Sequence, residues 1–278
     1  MRRREFLLSV GLAIAGGQFA HAGQLPQEFV NVYRPALERL RQAYGKVSVE
    51  GTLRVALPQE DKSSEQEFIF RADGKKRRLD VRTLAQQGMG LKVGASQMSM
   101  ATPYGSLNTE MGSKSQFFDD AQQRPYSSVV AEIDEQSLLT YPYALDSPST
   151  ILDLLRSSAV KVNSVKWIRS QGQAMVQVDY LETGRHAGHS GNWTSTLVLS
   201  PNDGWALRSF IRTQSGGSER MSQRGELQYT SGEGGIPLVQ SIDVETSRNN
   251  RVVRRESISV ANVDFGSPEP YYFDSFSF

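Results

Sequence analysis

The sequence predicts a mainly β chain, α+β in detail, built on one large antiparallel sheet that curls on itself. Three observations point there. Val47, Val49, Gly51, Leu53, Val55 and Leu57 share one parity while Ser48, Glu50, Thr52 and Arg54 share the other, which is the period of a strand with one apolar face. Runs of this kind recur at hairpin spacing as far as residue 265, divided by turn signals such as Asp73-Gly74, Asn202-Asp203-Gly204 and Asn249-Asn250. Helical spacing is confined to a leading stretch and short pieces mid-chain. Because an antiparallel sheet can keep one face in water, the alternation fits a sheet covered on a single side better than a parallel one buried on both.

The N-terminus reads as a targeting segment. Arg2, Arg3 and Arg4 precede an apolar run from Phe6 to Ala15, and Ala20-His21-Ala22 offers small residues for cleavage after Ala22, so 1–22 is expected to be a bacterial signal peptide. Arg3 and Arg4 followed by Glu5-Phe6-Leu7 resemble the twin-arginine export motif, with the general secretory route as the alternative. No other apolar run approaches the roughly 20 residues of a membrane-spanning helix. The mature part, 23–278, is expected to be a single soluble domain, periplasmic or secreted.

Composition narrows the chemistry. The 31 basic and 30 acidic residues nearly cancel, which gives no support for binding nucleic acid. There is no cysteine, so disulfides, thiolate metal sites, a cysteine nucleophile and a lipidated N-terminal cysteine are all excluded.

Taken in order, Phe29, Val32, Tyr33, Leu37, Leu40 and Tyr44 form one apolar stripe of a helix over 26–44, in which Pro35 removes a hydrogen bond and marks the place for a kink. The long strand from 47 ends at Pro58. A hairpin follows, with Phe68 and Phe70 in one arm, Leu79 and Val81 in the other, and Asp73-Gly74 at the reversal. Lys75, Lys76, Arg77 and Arg78 crowd its tip, either as a solvated end or as a patch for an anionic lipid or a partner. Residues 91–93 and 97–102 read as a further arm, with a turn at Pro103-Tyr104-Gly105 and a return over 106–111. Four of the seven methionines lie between Met89 and Met111, as core filling or as an adaptable pocket lining.

From 118 to 148 the period lapses. Val129, Val130 and Ile133 suit a short helix, and Tyr141-Pro142-Tyr143 is expected to be extended, since proline restricts its predecessor. Ser147 or Ser149 then caps a short helix carrying Ile151, Leu152, Leu154 and Leu155, a candidate lid. Strands resume over 161–168, 174–181, 193–200, 206–214, 220–229, 238–248 and 252–265. The tail, 266–278, holds Tyr271, Tyr272, Phe273, Phe276 and Phe278, too many aromatics to leave in water, and should dock against the sheet or into its opening.

Few residues suggest catalysis. His186 and His189 share a short loop, read as a solvated hairpin end or, less well, as a metal or acid/base pair; no nearby carboxylate completes a site. Ser190 lacks the Gly-x-Ser-x-Gly context of a nucleophile elbow, so a hydrolase ranks last. An outer-membrane barrel is disfavoured by the charges on the face that lipid would need. No catalytic residue, metal ligand or cofactor is assigned.

The order of these parts resembles the LolA/LolB lipoprotein-carrier superfamily, to which the sensor RseB looks related. The likeness rests on the leading helix, the strand VSVEGTLRVAL, the hairpin FIFRADGKKRRLDV, the mid-chain helix STILDLL and the strands that follow. It implies an incomplete β-barrel closed by helices around an apolar cavity for acyl chains. Val49, Leu53, Val55, Phe68, Phe70, Met98 and Met100 would then line the concave wall, and Ile151, Leu152, Leu154 and Leu155 the lid. Arg54 and Arg71 stand on the early strands, where carriers use an arginine to hold the lid. The implied function is noncatalytic binding of a lipid or a lipidated partner; the alternative is an envelope structural or stress-sensing module whose cavity is filled by its own side chains and tail.

Overall fold

The computed structural model describes residues 25–102, 105–111, 133, 139–145, 149–170, 172–186, 189–215 and 220–273. The signal peptide with Arg3, Arg4 and Ala22, the residues Val129, Val130, Tyr104 and Ser147, and the tail aromatics Phe276 and Phe278 lie outside the described residues.

The leading helix, α1 (Gln27–Tyr44), buries Phe29, Val30, Tyr33, Ala36, Leu37, Leu40 and Tyr44. These recur at three- and four-residue spacing, so one stripe faces the sheet and the rest meets water. Helix α1 runs uninterrupted through Pro35. Its last residue pins it: the Tyr44 hydroxyl donates to the Pro237 carbonyl at 2.9 Å and accepts from the Val239 N–H at 3.1 Å.

Twelve strands follow among the described residues: β1 (Lys46–Leu57), β2 (Lys62–Asp73), β3 (Lys76–Gln87), β4 (Ser96–Thr102), β5 (Gly105–Met111), β6 (Val160–Ser170), β7 (Gln173–His186), β8 (His189–Ser200), β9 (Ala206–Ser215), β10 (Met221–Ser231), β11 (Pro237–Arg248) and β12 (Arg251–Phe265). They form a single sheet in the order β5-β4-β3-β2-β1-β12-β11-β10-β9-β8-β7-β6. Each pairing is antiparallel. The last strand returns to the first, so β12 lies beside β1 in the middle and the edges are β5 and β6. The sheet is an unclosed, incomplete barrel.

This order forces one long crossing. The chain leaves β5 at one edge and enters β6 at the other, and part of the described crossing is inside. Residues 139–145 are all buried, as are Ile151, Leu152 and Leu155 of helix α2 (Ile151–Arg156).

Register identifies the concave face. Leu53, Ile258, Ile242 and Leu227 are directly opposite one another across β1, β12, β11 and β10. Val49, Phe70 and Leu79 form a second row, and Val165, Val178, Leu197, Phe210 and Gly225 a third. Two glycines make room on it. A Cβ on Gly225 would stand 2.2 Å from the Phe210 ring, and one on Gly51 3.0 Å from the Phe68 ring and 2.4 Å from the Ser259 carbonyl. In each pair the aromatic ring lies over its cross-strand glycine, a device that lets a sheet bend without losing packing.

Several sequence expectations need correction. Residues 91–93 are not strand; Gly88, Gly90 and Gly94 have φ of +65°, +73° and +82°, which turns the chain before β4 begins at Ser96. Strands β7 and β8 extend to His186 and His189, which pair with each other, so most of the supposed loop is ladder. The cap of α2 is Thr150: its side chain accepts from the Asp153 N–H while Asp153 accepts from the Thr150 N–H, a complete capping box. Tyr141-Pro142-Tyr143 is a turn, because the N–H groups of Tyr143 and Ala144 both donate to the Thr140 carbonyl and the two tyrosines are buried. Tertiary packing outweighs the preference of a residue preceding proline.

Nor is the sheet covered on only one side. On β3 and β4, Arg78, Met98 and Met100 are buried although they face away from Phe70 and Leu79. Part of the tail lies on that outer face: Pro270–Phe273 forms a short 3-10 helix, with the Tyr272 ring 4.0 Å from the Arg71 guanidinium and Phe273 buried near Lys76. Elsewhere the outer face is polar, as in the row Arg224, Glu245 and Arg255, bridged at 3.1 Å on each side. No helix among the described residues is long and apolar enough to cross a membrane.

Candidate ligand-binding face

The concave side of β1 and β2 carries five of the seven residues expected in a cavity wall. Alternation places Val49, Leu53 and Val55 inward from β1, and pairing aligns Phe70 with Val49 and Phe68 with Gly51. Filling is uneven along this wall. Val49, Phe68 and Phe70 are fully packed at 0%, 3% and 2% exposure, whereas Leu53 and Val55, nearer the far end of the strand, are only half-buried.

Met98 and Met100 do not join them. Leu79 pairs with Ser99, so the methionines on either side point outward, opposite Asp80 and Arg78. The period-two pattern of β4 was legible, but its phase relative to β3 depends on pairing. A cleft of about 560 Å³ opens on this outer face, lined among others by Thr52, Glu67, Ile69, Arg78, Arg82 and Met98.

The expected lid residues are part of the packing. Ile151, Leu152 and Leu155 are buried, and Leu154 is half-buried against the same core. Beside them, Tyr141 meets Phe210 edge-on at 5.6 Å and Tyr143 approaches Tyr44 at 6.2 Å. The Leu207 N–H donates to the Pro142 carbonyl at 3.0 Å. Neither early arginine reaches this region: Arg54 pairs with Glu65 and Arg71 with Asp80 on the outer face.

Sequence reading missed a polar patch on the concave face. Tyr180, Ser195 and Arg212 stand directly opposite one another on β7, β8 and β9, with Glu182, Trp193 and Gln214 in the adjacent row. Tyr180, Ser195 and Arg212 are 0%, 1% and 2% exposed. The alternation of β9 places Arg212 on the same side as Phe210, but only the structure shows that this side faces inward and Ile211 faces out. Burial raises the Tyr180 pKa, and the nearby Arg212 and Ser195 only partly oppose it. Burial also keeps the Tyr33, Tyr44 and Tyr229 hydroxyls protonated well above the ordinary phenol range. The side chains of His186, His189 and Ser190 lie outside the described residues.

With that geometry in place, comparison with known proteins adds the fold. No protein-family model matches the chain, and no curated protein does. Among solved structures, a domain of an outer membrane lipoprotein-sorting protein from Vibrio parahaemolyticus aligns with a TM-score of 0.50 at 9% identity, covering 89% of this chain and 97% of that one. A LolA superfamily protein from Nitrosomonas europaea and a DUF1329 family protein from Desulfovibrio piger each align with a TM-score of 0.47 at 9% identity over 88% of this chain, covering 98% and 97% of theirs. The first of these alignments bears out the expected likeness at the level of fold.

Proposed function

We propose that this chain is an exported, noncatalytic protein that binds a lipid or a lipidated partner along the concave face of its half-barrel. The observation that carries the reading is the graded filling of that face. It is packed shut around Val49, Phe68 and Phe70 and only half-covered at Val55 and at Leu53, the latter in line with Ile258 and Ile242. Burying acyl methylenes there yields about 0.8 kcal/mol each, so a plain apolar trough suffices without a reactive group. The arginine-rich, apolar N-terminal segment supports a periplasmic or secreted location for the mature part, taken as one domain from residue 23. The lipoprotein-sorting domain with the same fold is consistent with such a role and specifies no cargo.

A second reading draws on one specific observation: residues 139–145 and the apolar side of α2, Ile151, Leu152 and Leu155, are buried in the core. An envelope structural or sensing module would keep that filling permanently. The deciding experiment is native mass spectrometry of the protein purified from its own periplasm, followed by lipid analysis of the denatured sample. A stoichiometric lipid or acylated peptide is expected. A clean apo mass that persists after incubation with lipid would favour the self-filled module.

A further inference from the structure

The outer face of the half-barrel carries an opening that the lipid-binding reading does not use. The cleft of about 560 Å³ over β1 to β4 lies on the side of the sheet away from Val49 and Phe70. One row of directly opposed residues crosses it: Glu50, Ile69, Asp80 and Met98. Ile69 is only half-buried, between charged neighbours. A second depression of about 390 Å³, at Ala56, Ser63 and Ala85, lies on the same face further along the same strands. From Glu50 to Ala56 the two span about 20 Å, the length of about six residues of extended chain.

We propose that this groove takes an extended basic segment of a partner protein, with an apolar side chain on Ile69 and Met98 and a lysine or arginine reaching Glu50. Shape and charge argue for that occupant. A groove of this length suits a strand of peptide better than a compact molecule. Most of its cations are engaged: Arg71 and Arg78 both hold Asp80, at 3.0 and 2.8 Å, and both meet Tyr272 of the tail. Arg82 stands 3.9 Å from Glu67 with both side chains more than half exposed, so that pair is loose and neutral. The Glu50 carboxylate is exposed and has no hydrogen-bond or ion-pair partner among the described residues, which leaves one anion unanswered beside an aliphatic floor. An acidic segment would meet Glu50, Glu67 and Asp80 with only Arg82 loose enough to receive it. The flexible thioether of Met98 fits apolar side chains of more than one shape. The inference is separate from the lipid-binding reading, since it concerns the opposite face of the sheet.

The test titrates the full mature chain with fluorescently labelled peptides of about six residues. One has a lysine between two leucines, another has glutamate in place of the lysine, and a third has serines in place of the leucines. The parent should bind the lysine peptide about tenfold more tightly than either of the others. Glu50→Lys should reverse the preference between lysine and glutamate, and Ile69→Ser should weaken binding of the lysine peptide several-fold. Because Glu50 is exposed, Glu50→Lys should keep the parent's unfolding midpoint and its lipid load. No binding to the parent, equal binding of the three peptides, an affinity unmoved by Ile69→Ser, or a lysine preference that survives Glu50→Lys overturns the proposal. So does a parent dimer that Glu50→Lys dissociates, which would assign the groove to a second copy. Peptide binding that appears only after removal of residues 274–278 would assign it to the chain's own tail and overturn the proposal as well.

Discussion

Arg78 Nη1 donates to the backbone carbonyl of Tyr272 at 2.7 Å, joining the outer face of β3 to a residue 194 positions later. The same guanidinium donates through Nε to Asp80 at 2.8 Å, and Asp80 also accepts from Arg71 at 3.0 Å. Arg71 in turn lies over the Tyr272 ring. Three charged side chains and one aromatic thus hold the start of the tail on the outside of the half-barrel.

Removing that clamp should be measurable. Arg78→Ala deletes a buried charged donor and leaves Asp80 with Arg71 alone, so a loss of about 2 kcal/mol in urea unfolding is expected. Limited proteolysis should cut near 266–273 faster in the variant. An unchanged midpoint and cleavage rate would mean the clamp is ornamental.

The capping box of α2 makes a smaller prediction. Thr150→Ala removes the acceptor for the Asp153 N–H, at 3.2 Å, and the partner hydroxyl of Asp153 at 2.6 Å. About 1 kcal/mol should be lost, and Thr150→Ser should restore most of it. A loss as large for Ser as for Ala would show that the Thr methyl matters rather than the cap.

A glycine prediction follows from the curled sheet. Gly225→Ala places a methyl 2.2 Å from the Phe210 ring, which is fully buried and touches Tyr141, so the ring cannot swing away freely. A cost of about 1–3 kcal/mol is expected, with a change in the near-UV aromatic signal. Pairing it with Phe210→Leu should recover part of the loss, and failure to do so would place the strain in the strand itself.

Acid stability should depend on Asp179. Burial alone would raise its pKa, but hydrogen bonds from Ser164, Gln177 and Thr196 at 2.7–2.8 Å, with Lys166 at 3.4 Å, bring it below the ordinary aspartate value. A folded pKa below the unfolded one contributes stability that is present above the unfolded pKa and lost as pH falls through the folded one. Asp179→Asn should therefore destabilise at neutral pH and flatten the stability profile on the acid side, below about pH 4. A parallel offset at every pH would contradict the assignment.

The strands were legible because each carries its own period, and α1 because its stripe is local. Which residues share a wall was legible only within one strand. Met98 and Phe70 each obey the alternation, yet the pairing of Leu79 with Ser99 puts them on opposite faces. Arg78 looked like part of a solvated hairpin tip because its partner Tyr272 is remote in sequence. The turn at Tyr141-Pro142 escaped in part for the same reason: besides its local bonds to the Thr140 carbonyl, it is held by Phe210 and Leu207, remote in the chain.

The graded filling of the concave face gives the sharpest test of the trough. Phe70 is fully packed, so Phe70→Ala should cost about 3–5 kcal/mol and report on folding, whatever the protein binds. Leu53 is different. It is half-buried, packed against the edge of the core, with Ile258 directly opposite. Leu53→Asp sets a charge where an acyl chain would lie, yet leaves the side chain enough exposure to stay solvated, so its stability cost should be well below that of Phe70→Asp. Retention of lipid on purification should drop at least tenfold in Leu53→Asp, while Leu53→Met should retain it. If Leu53→Asp keeps a parent-like load of lipid and a parent-like unfolding midpoint, the guest does not lie along β1 and the trough must be sought elsewhere on the sheet.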